Sequence, residues 1–235
     1  MAQATSVRQK LDLRQSIAAS GFVMILMLAV LGLFALYSIW SINRAWVEGM
    51  NRVTELRQLS TASLEAQVSF KVQVQEWKNI LLRGDDPSLL AKHHAAFTSE
   101  ASETQTLLGT VAQQAALLGF SEDASQAETL IADHAALNQS YETVLREMQG
   151  AAATLDAASA HAIDVKLRGA DRTLEAGIGA LAAGIGTQSD THRETLFAAM
   201  AARYATLRWF IISVILGTLA VTGFVLFRLL RATQA

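Results

Sequence analysis

The sequence contains no cysteine, which excludes disulfide bonds, thiolate metal sites and a cysteine nucleophile. The fold must therefore be stabilised by packing. No basic run occurs and the formal net charge is −2, so we expect no nucleic acid among the partners.

Enzyme signatures are missing as well. The sequence has no nucleophile-and-base pair, no phosphate-binding glycine loop and no dinucleotide fingerprint. Glycines at 177, 179, 184 and 186 lie in sequence of helical period with no strand before them, so we expect them to allow close helix approach or local flexibility. We therefore expect no enzyme and no cofactor.

Two uncharged apolar stretches, residues 17–40 and 209–227, are long enough to cross a bilayer as helices. The first is longer than the apolar core of a cleavable signal peptide, roughly 7 to 15 residues, and no small-residue cleavage site follows it. We interpret it as an uncleaved anchor. Aromatic residues mark one interface of both spans: Tyr37, Trp40, Trp46, Trp209 and Phe210.

The orientation of the spans follows from their basic flanks. Three basic residues precede the first span and three follow it, so that comparison is a tie. Arg228 and Arg231 after the second span favour both termini in the cytoplasm, and a long loop crosses the membrane largely regardless of its charge. We expect cytoplasmic tails at 1–16 and 228–235, and residues 41–208 outside the cytoplasm.

Local signals divide the exported part into helices. Gly84 is expected in the left-handed conformation after one helix, with Asp86 as N-cap and Pro87 as first residue of the next. A second turn is expected at Gly119, with Ser121 as cap before two acids. A third turn is expected between Gly150 and Ser159, with Asp156 and Ser159 as possible caps.

Apolar residues recur at alternating spacings of three and four between these turns, as in the seam of a left-handed helical bundle. One stripe consists of Leu90, His94, Phe97, Ala101, Thr104, Leu108, Val111, Ala115 and Leu118. The next consists of Leu130, His134, Leu137, Tyr141, Val144, Met148, Ala151 and Leu155. We predict an all-α fold, an antiparallel up-down four-helix bundle whose first and last helices continue into the two spans.

The histidines do not indicate a metal site. His93, His94 and His161 can approach one another, but His134 lies about 30 Å along its helix from them, so no three-histidine zinc site is expected. His94 and His134 occupy seam positions, where a packed and hydrogen-bonded histidine is the usual case.

Two segments carry a more specific signal than periodicity. The run FKVQVQEWKNILLRG, residues 70–84, followed by Asp85-Asp86-Pro87, resembles the end of the first sensor helix of bacterial methyl-accepting chemotaxis proteins. The segment KLRGADR, residues 166–172, is similar to a V-R-G-I-D-R element that opens the fourth helix in that family. The resemblance covers about residues 10 to 230.

The resemblance implies a two-pass sensor of the bacterial inner membrane, a homodimer whose periplasmic bundle binds a small molecule, often a carboxylate. The family continues after its second span into a HAMP linker and a cytoplasmic hairpin that contacts a histidine kinase and its coupling protein. Only five residues follow Leu230 here. We therefore expect either the sensory part of a longer receptor or a stand-alone relative that acts through a partner.

In that family, ligands bind in the part of the bundle far from the membrane. The candidate ligand contacts at that level are Trp77, Lys78, Arg83, Arg146, Arg168 and Arg172. Arginine can bind a carboxylate through two parallel hydrogen bonds, and tryptophan can supply an apolar wall.

Each candidate contact also has a structural interpretation. Basic residues on long helices are usually solvated or paired with acidic residues. Trp77 lies on the same helical stripe as Phe70 and Val74, as a core residue would. Arg83, at the end of its helix, can interact favourably with the helix dipole. Arg168 and Arg172, four residues apart on one face of the fourth helix, could form an ion-pair cluster with Asp171. The leading hypothesis is a chemoreceptor-type sensor, and the alternative is a membrane-anchored helical adaptor that pairs with another receptor or envelope protein.

Overall fold

The computed structural model describes residues 2–149 and 154–234, which form α-helices joined by short turns, with no strand among them, and this confirms the all-α part of the predicted fold. The helices, in order, are α1 Ala2–Arg83, α2 Pro87–Leu118, α3 Ser121–Gln149, α4 Ala157–Leu167 and α5 Arg172–Gln234. The chain forms two compact units. The central unit is Asn51–Glu194, and the terminal unit combines Met1–Met50 with Thr195–Ala235.

The terminal unit contains the apolar stretches of α1 and α5, each long and apolar enough to cross a membrane. Within it, the rings of Phe34 and Phe210 lie 4.2 Å apart between centroids. Most large apolar side chains of these stretches are exposed, among them Phe22, Leu33, Trp40, Trp209 and Phe224. Apolar surfaces of this extent are typical of regions that contact a membrane or another protein instead of water.

The turn between α1 and α2 confirms one predicted cap and corrects another. Asp86 is the N-cap of α2, and its side chain accepts hydrogen bonds from the amides of Ser88 (2.7 Å) and Leu89 (3.1 Å). Gly84, in contrast, does not have a positive φ, so the expectation of a left-handed residue there is wrong. Its role is steric, because a Cβ there would lie 2.6 Å from the carbonyl oxygen of Ile80 and 2.9 Å from the Cβ of Leu155.

The turn between α2 and α3 begins at Gly119, where it was predicted, and Gly119 is left-handed with φ 84° and ψ 12°. The Phe120 amide donates to the Ala115 carbonyl and the Gly119 amide to Ala116, which satisfies carbonyls at the end of α2. Ser121 is the first residue of α3 and not its cap, so that expectation is wrong.

The third predicted turn is described only in part, because 150–153 lie outside the described residues. The turn ends at Asp156, which is the N-cap of α4 and accepts a hydrogen bond from the Ser159 amide at 2.7 Å. The preceding Leu155 is buried, and its amide donates to the Gly84 carbonyl at 2.7 Å, which ties this turn to the end of α1.

A fourth break, which the sequence did not predict, separates α4 from α5. Gly169 has φ 79°, and the amides of Ala170 and Arg172 donate to the carbonyls of Leu167 and Gly169 across the break. Arg168 is therefore the C-cap of α4, which ends at Leu167, and Arg172 begins α5. The expectation that they share one face of a continuous helix is wrong, because a left-handed glycine interrupts the helix between them.

A single hydrophobic core joins all five helices within the central unit. Its large, almost fully buried side chains include Leu59, Phe70, Ile80, Phe97, Leu108, Tyr141, Ile163, Ile178 and Ile185. Residues of both predicted stripes contribute to this core. The first stripe was predicted to contain His94, but the side chain of His94 is 40 % exposed and its neighbour His93 is buried instead. Met148, which was also predicted to face the core, is exposed.

Gly119, the C-cap of α2, and Gly109, within α2, provide a matched test of the left-handed cap. Replacing Gly119 by alanine places a Cβ on a left-handed residue, and we expect the free energy of unfolding to fall by about 1 kcal/mol. A Cβ at Gly119 meets no atom within 4 Å, so the effect would come from φ alone. The measurement is denaturant unfolding of the full chain in detergent, followed by circular dichroism.

The matched control is Gly109→Ala. Gly109 lies within α2, has no positive φ and has open space where a Cβ would stand. Alanine there should raise the free energy of unfolding by about 0.5–1 kcal/mol. Equal effects of the two substitutions would contradict the assignment of a left-handed cap to Gly119.

Candidate functional site

A cleft of about 200 Å³ opens in the central unit where α4 gives way to α5. Its apolar wall is an aromatic pair: Trp77 of α1 stacks on Tyr141 of α3, with ring centroids 4.3 Å apart and planes inclined by 23°. Phe97 of α2 contacts both rings at 5.6 and 5.8 Å. All three side chains are buried, so the wall is anchored in the core.

The rim of the cleft is charged. Lys78, Arg168 and Arg172 supply three cations, and Asp164 and Asp171 supply two carboxylates. Arg168 donates to Asp164 at 2.6 Å, an exposed pair one helical turn apart that contributes little to stability. This arrangement leaves an excess of positive charge next to an aromatic wall.

The helix break positions these charges. Gly169 lines the cleft, and a Cβ at this residue would lie 3.2 Å from Nε of Arg172. The left-handed turn thus lets the Arg172 side chain pass close to the backbone. Arg172 is also the first residue of α5, where backbone amides without intrahelical partners add positive potential.

Tyr141 is held as a neutral phenol. Burial, followed by the nearby charge of Asp171, raises the pKa of Tyr141 well above its ordinary value of 10.0. The hydroxyl group therefore stays protonated throughout the physiological range and keeps a hydrogen to donate.

The six predicted site residues do not form one group. Trp77, Lys78, Arg168 and Arg172 line the cleft together. Arg146 lies in a separate depression beside His94 and Glu142, and Arg83 is the exposed last residue of α1. The cluster of Arg168 and Arg172 with Asp171 is replaced by the pair of Arg168 with Asp164.

Sequence reasoning missed Asp164 as a cleft residue and assigned Tyr141 only to the core. The spacing of Asp164 and Arg168, four residues apart at the C-terminus of α4, was the available signal for their pairing. Tyr141 is both a core residue and a cleft residue, because its ring packs against Trp77 at the edge of the core.

Two adjacent histidines of α2 connect it to different helices. His93 Nδ1 lies 2.6 Å from a carboxylate oxygen of Glu76 on α1, and His94 Nε2 lies 3.0 Å from Glu142 on α3. The hydrogen bond from His93 lowers the pKa of Glu76. His93 is buried and its Nε2 has no hydrogen-bond partner in the described part of the chain.

A second polar group lies within the core and surrounds His134, as expected for a packed seam histidine. Its Nε2 is 2.7 Å from Oε1 of Gln73, and its Nδ1 is 2.8 Å from Nε2 of Gln105. Gln73 also donates to Asn138 at 2.5 Å. Burial lowers the pKa of His134 to about 4, so its imidazole is neutral at physiological pH.

No cluster suitable for a metal ion occurs among residues 2–149 and 154–234, where no three His, Asp or Glu side chains come together. Comparison with protein-family models, with curated proteins and with solved structures finds no match to this chain. The chemistry of the cleft is therefore the basis for a functional proposal.

The Glu76–His93 pair makes a pH-dependent contribution to stability. Because the folded state lowers the pKa of Glu76 below 4.5, the stabilisation is fully present above pH 4.5 and is lost as the pH falls through the lowered folded-state value. Glu76→Gln should lower the free energy of unfolding by roughly 1–2 kcal/mol at neutral pH. The difference from the parent chain should shrink as the pH falls below 4.5.

Denaturant unfolding of the full chain at several pH values measures this difference. Glu65→Gln is the matched control, because Glu65 is an exposed residue of the same helix. A Glu76→Gln difference that stays constant between neutral and acid pH would rule out a contribution from the ionised Glu76 carboxylate.

Proposed function

We propose that this protein is a two-pass membrane sensor of the chemoreceptor type, whose central part binds a small anionic ligand. The observation that carries the proposal is the cleft, with a buried Trp77–Tyr141 wall and the cations Lys78 and Arg172 at its rim. Such a site suits a carboxylate with an apolar portion. At about 200 Å³, the cleft accommodates a metabolite-sized ligand smaller than typical drug molecules.

The helix bounds support a role in relay. α1 contributes Trp77 and Lys78 to the cleft and also contains the first apolar stretch, while α5 begins at the cleft with Arg172 and contains the second. In the proposed antiparallel four-helix bundle, both helices that cross the membrane thus contact the ligand, together with α3 and α4. If the helices can pack in two ways, a ligand that binds one arrangement more tightly shifts the equilibrium toward it. A coupling free energy of ~1–3 kcal/mol between two sites is typical.

We place the termini in the cytoplasm and residues 41–208 in the periplasm of a bacterial inner membrane. The resemblance of residues 70–84 and 166–172 to methyl-accepting chemotaxis proteins and the basic residues near the chain ends support this placement. The candidate spans remain those at 17–40 and 209–227.

Ligand binding is tested by calorimetry on the full chain in lipid nanodiscs, with a panel of small carboxylates, amines and amino acids. We expect carboxylates to bind, and Arg172→Gln to weaken that binding about tenfold or more, because it removes a charge-assisted contact. Arg146→Gln is the matched control, since Arg146 lies outside the cleft, and it should leave affinity unchanged.

Failure of every compound to bind would count against the sensor. If the chain is fused to a signalling domain and gives no response to any compound of the panel, that result would also count against the sensor. Binding that is lost equally in Arg146→Gln and Arg172→Gln would point to a different site.

The sensor is proposed to act as a homodimer through α1. Three apolar residues spaced by four, Leu64, Val68 and Val72, are exposed on α1 in the central unit. Burying such a stripe against the same stripe of a second copy removes apolar surface from water. The adaptor hypothesis uses the same faces to bind a different protein.

The absence of native cysteine makes this proposal directly testable. A Val68→Cys variant in membranes should form a disulfide-linked dimer on mild oxidation, whereas Ser140→Cys, at an exposed position of α3, should not. Crosslinking of Val68→Cys only to another protein would favour the adaptor.

A further inference from the structure

A histidine–carboxylate contact connects α2 to α3 beside the aromatic wall of the cleft. His94 Nε2 of α2 lies 3.0 and 3.3 Å from the two carboxylate oxygens of Glu142. Glu142 follows Tyr141, whose ring stacks on Trp77. Phe97, one helical turn after His94 on α2, contacts Tyr141 with ring centroids 5.8 Å apart. A polar contact and an aromatic contact therefore hold α2 against α3 at the level of the cleft wall.

The adjacent His93 makes a more buried contact with α1. The Glu76 carboxylate is ionised at neutral pH, so Nδ1 of His93 donates the hydrogen bond between them. A second proton on His93 would lie on Nε2, which is buried and has no hydrogen-bond partner among the described residues. A buried N–H group without an acceptor costs free energy. His93 is therefore suited to a fixed contact and not to proton uptake.

His94 is suited to proton uptake because water reaches it. Its side chain is 40 % exposed, and that of Glu142 is 34 % exposed. A neutral His94 donates one hydrogen bond to Glu142, whereas a protonated His94 forms an ion pair with it, which is the stronger contact. Histidine is the side chain whose charge ordinarily changes between about pH 5 and pH 8. A fall in pH through this range therefore strengthens the contact between α2 and α3.

The charged groups around the two histidines leave the Glu142 carboxylate to His94. On α3, Arg146 lines the same depression, but its Nε donates to the backbone carbonyl of Glu142 at 3.1 Å and not to the carboxylate. On α2 and α1, the charge of Lys92 acts on Glu76. Charged residues of α4 and of the start of α5 have other contacts: Asp164 with Arg168, Lys166 with Glu147, and Asp171 and Arg172 at the cleft. In the part of the chain that the structure describes, no further carboxylate lies within ion-pair distance of either histidine.

We infer that proton uptake by His94 regulates the cleft, so that a fall in pH tightens the binding of a small anionic ligand. The charged pair favours the packing in which Phe97 contacts Tyr141 and Tyr141 stacks on Trp77. A ligand that binds this packing more tightly gains affinity when the pair is charged. The gain cannot exceed the strengthening of one partly exposed pair, so we expect about two- to fivefold. The inference rests on the proposed ligand site and adds control by pH to it.

Calorimetry of the full chain in lipid nanodiscs at about pH 8 and about pH 5.5 tests this inference. The probes are benzoate and phenylacetate, because carboxylates ordinarily titrate near pH 4 and these probes are ionised at both pH values. The cleft itself contains no histidine among its lining residues. We expect each probe to bind about two- to fivefold more tightly at the lower pH. Titrations in two buffers of different ionisation enthalpy should show that protons are taken up as the probe binds, because the linkage is reciprocal.

Two variants break the pair from opposite sides. His94→Gln can still donate a hydrogen bond to Glu142 but cannot take up a proton, and Glu142→Gln removes the charge that a protonated His94 would meet. Both should bind the probes with the same affinity at the two pH values. The matched control is His161→Gln, which removes an exposed histidine of α4 outside the cleft and should keep the pH dependence. Circular dichroism of each variant checks that its helices are intact.

Equal affinity of the parent chain at the two pH values would overturn the inference and leave the proposed ligand site intact. A pH dependence that persists in Glu142→Gln would show that the proton acts without this pair, and one that is lost in His161→Gln would assign it to α4. Either result would overturn the inference. Absence of binding at both pH values would overturn the proposed binding of such carboxylates, and the inference with it.

Discussion

The positive φ of Gly169 is the constraint on which the candidate site depends. A residue with a Cβ is strained in this conformation, and here the turn ends α4 and starts α5 within four residues. A continuous helix would carry Arg168 and Arg172 on one face. Arg168 pairs with Asp164 before the break, and the break places Arg172 at a new helix start beside the cleft.

Polar contacts define the register of the central unit in a way that its apolar core cannot. Leucine and isoleucine side chains tolerate small shifts between helices, but a buried histidine needs hydrogen-bond partners at fixed positions. His134 of α3 is paired with Gln73 of α1 and Gln105 of α2, so three helices meet at one level. A shift of one turn would leave the buried Gln73 and His134 side chains without these partners, at a cost of about 1–3 kcal/mol for each unsatisfied group.

The sequence predicts those parts of the fold that depend on neighbours in the chain. Asp86 and Gly119 act locally, through amides and carbonyls a few residues away, so their roles could be predicted from spacing alone. Gly84 was misassigned because its constraint is steric and needs no positive φ: a Cβ there would meet the Ile80 carbonyl oxygen and the side chain of Leu155, about seventy residues later. His93 and His94 were exchanged because one residue is 100° of helix rotation, and the stripe spacing does not fix the rotation that finely.

The sequence predicts which residue types line the candidate site. It predicts only in part which individual residues of those types do so. The resemblance of residues 70–84 and 166–172 to a sensor family indicates Trp77, Lys78, Arg168 and Arg172 as basic and aromatic residues of one level, and the fold brings these four together. Arg83 and Arg146 have the same chemistry but lie elsewhere, because their positions depend on the angular setting of α1 and α3. Selectivity at such a site depends less on the number of arginines than on which of them lacks a carboxylate partner. Arg168 is paired with Asp164, and the unequal pairing makes Lys78 and Arg172 the cations whose charge a bound anion can use.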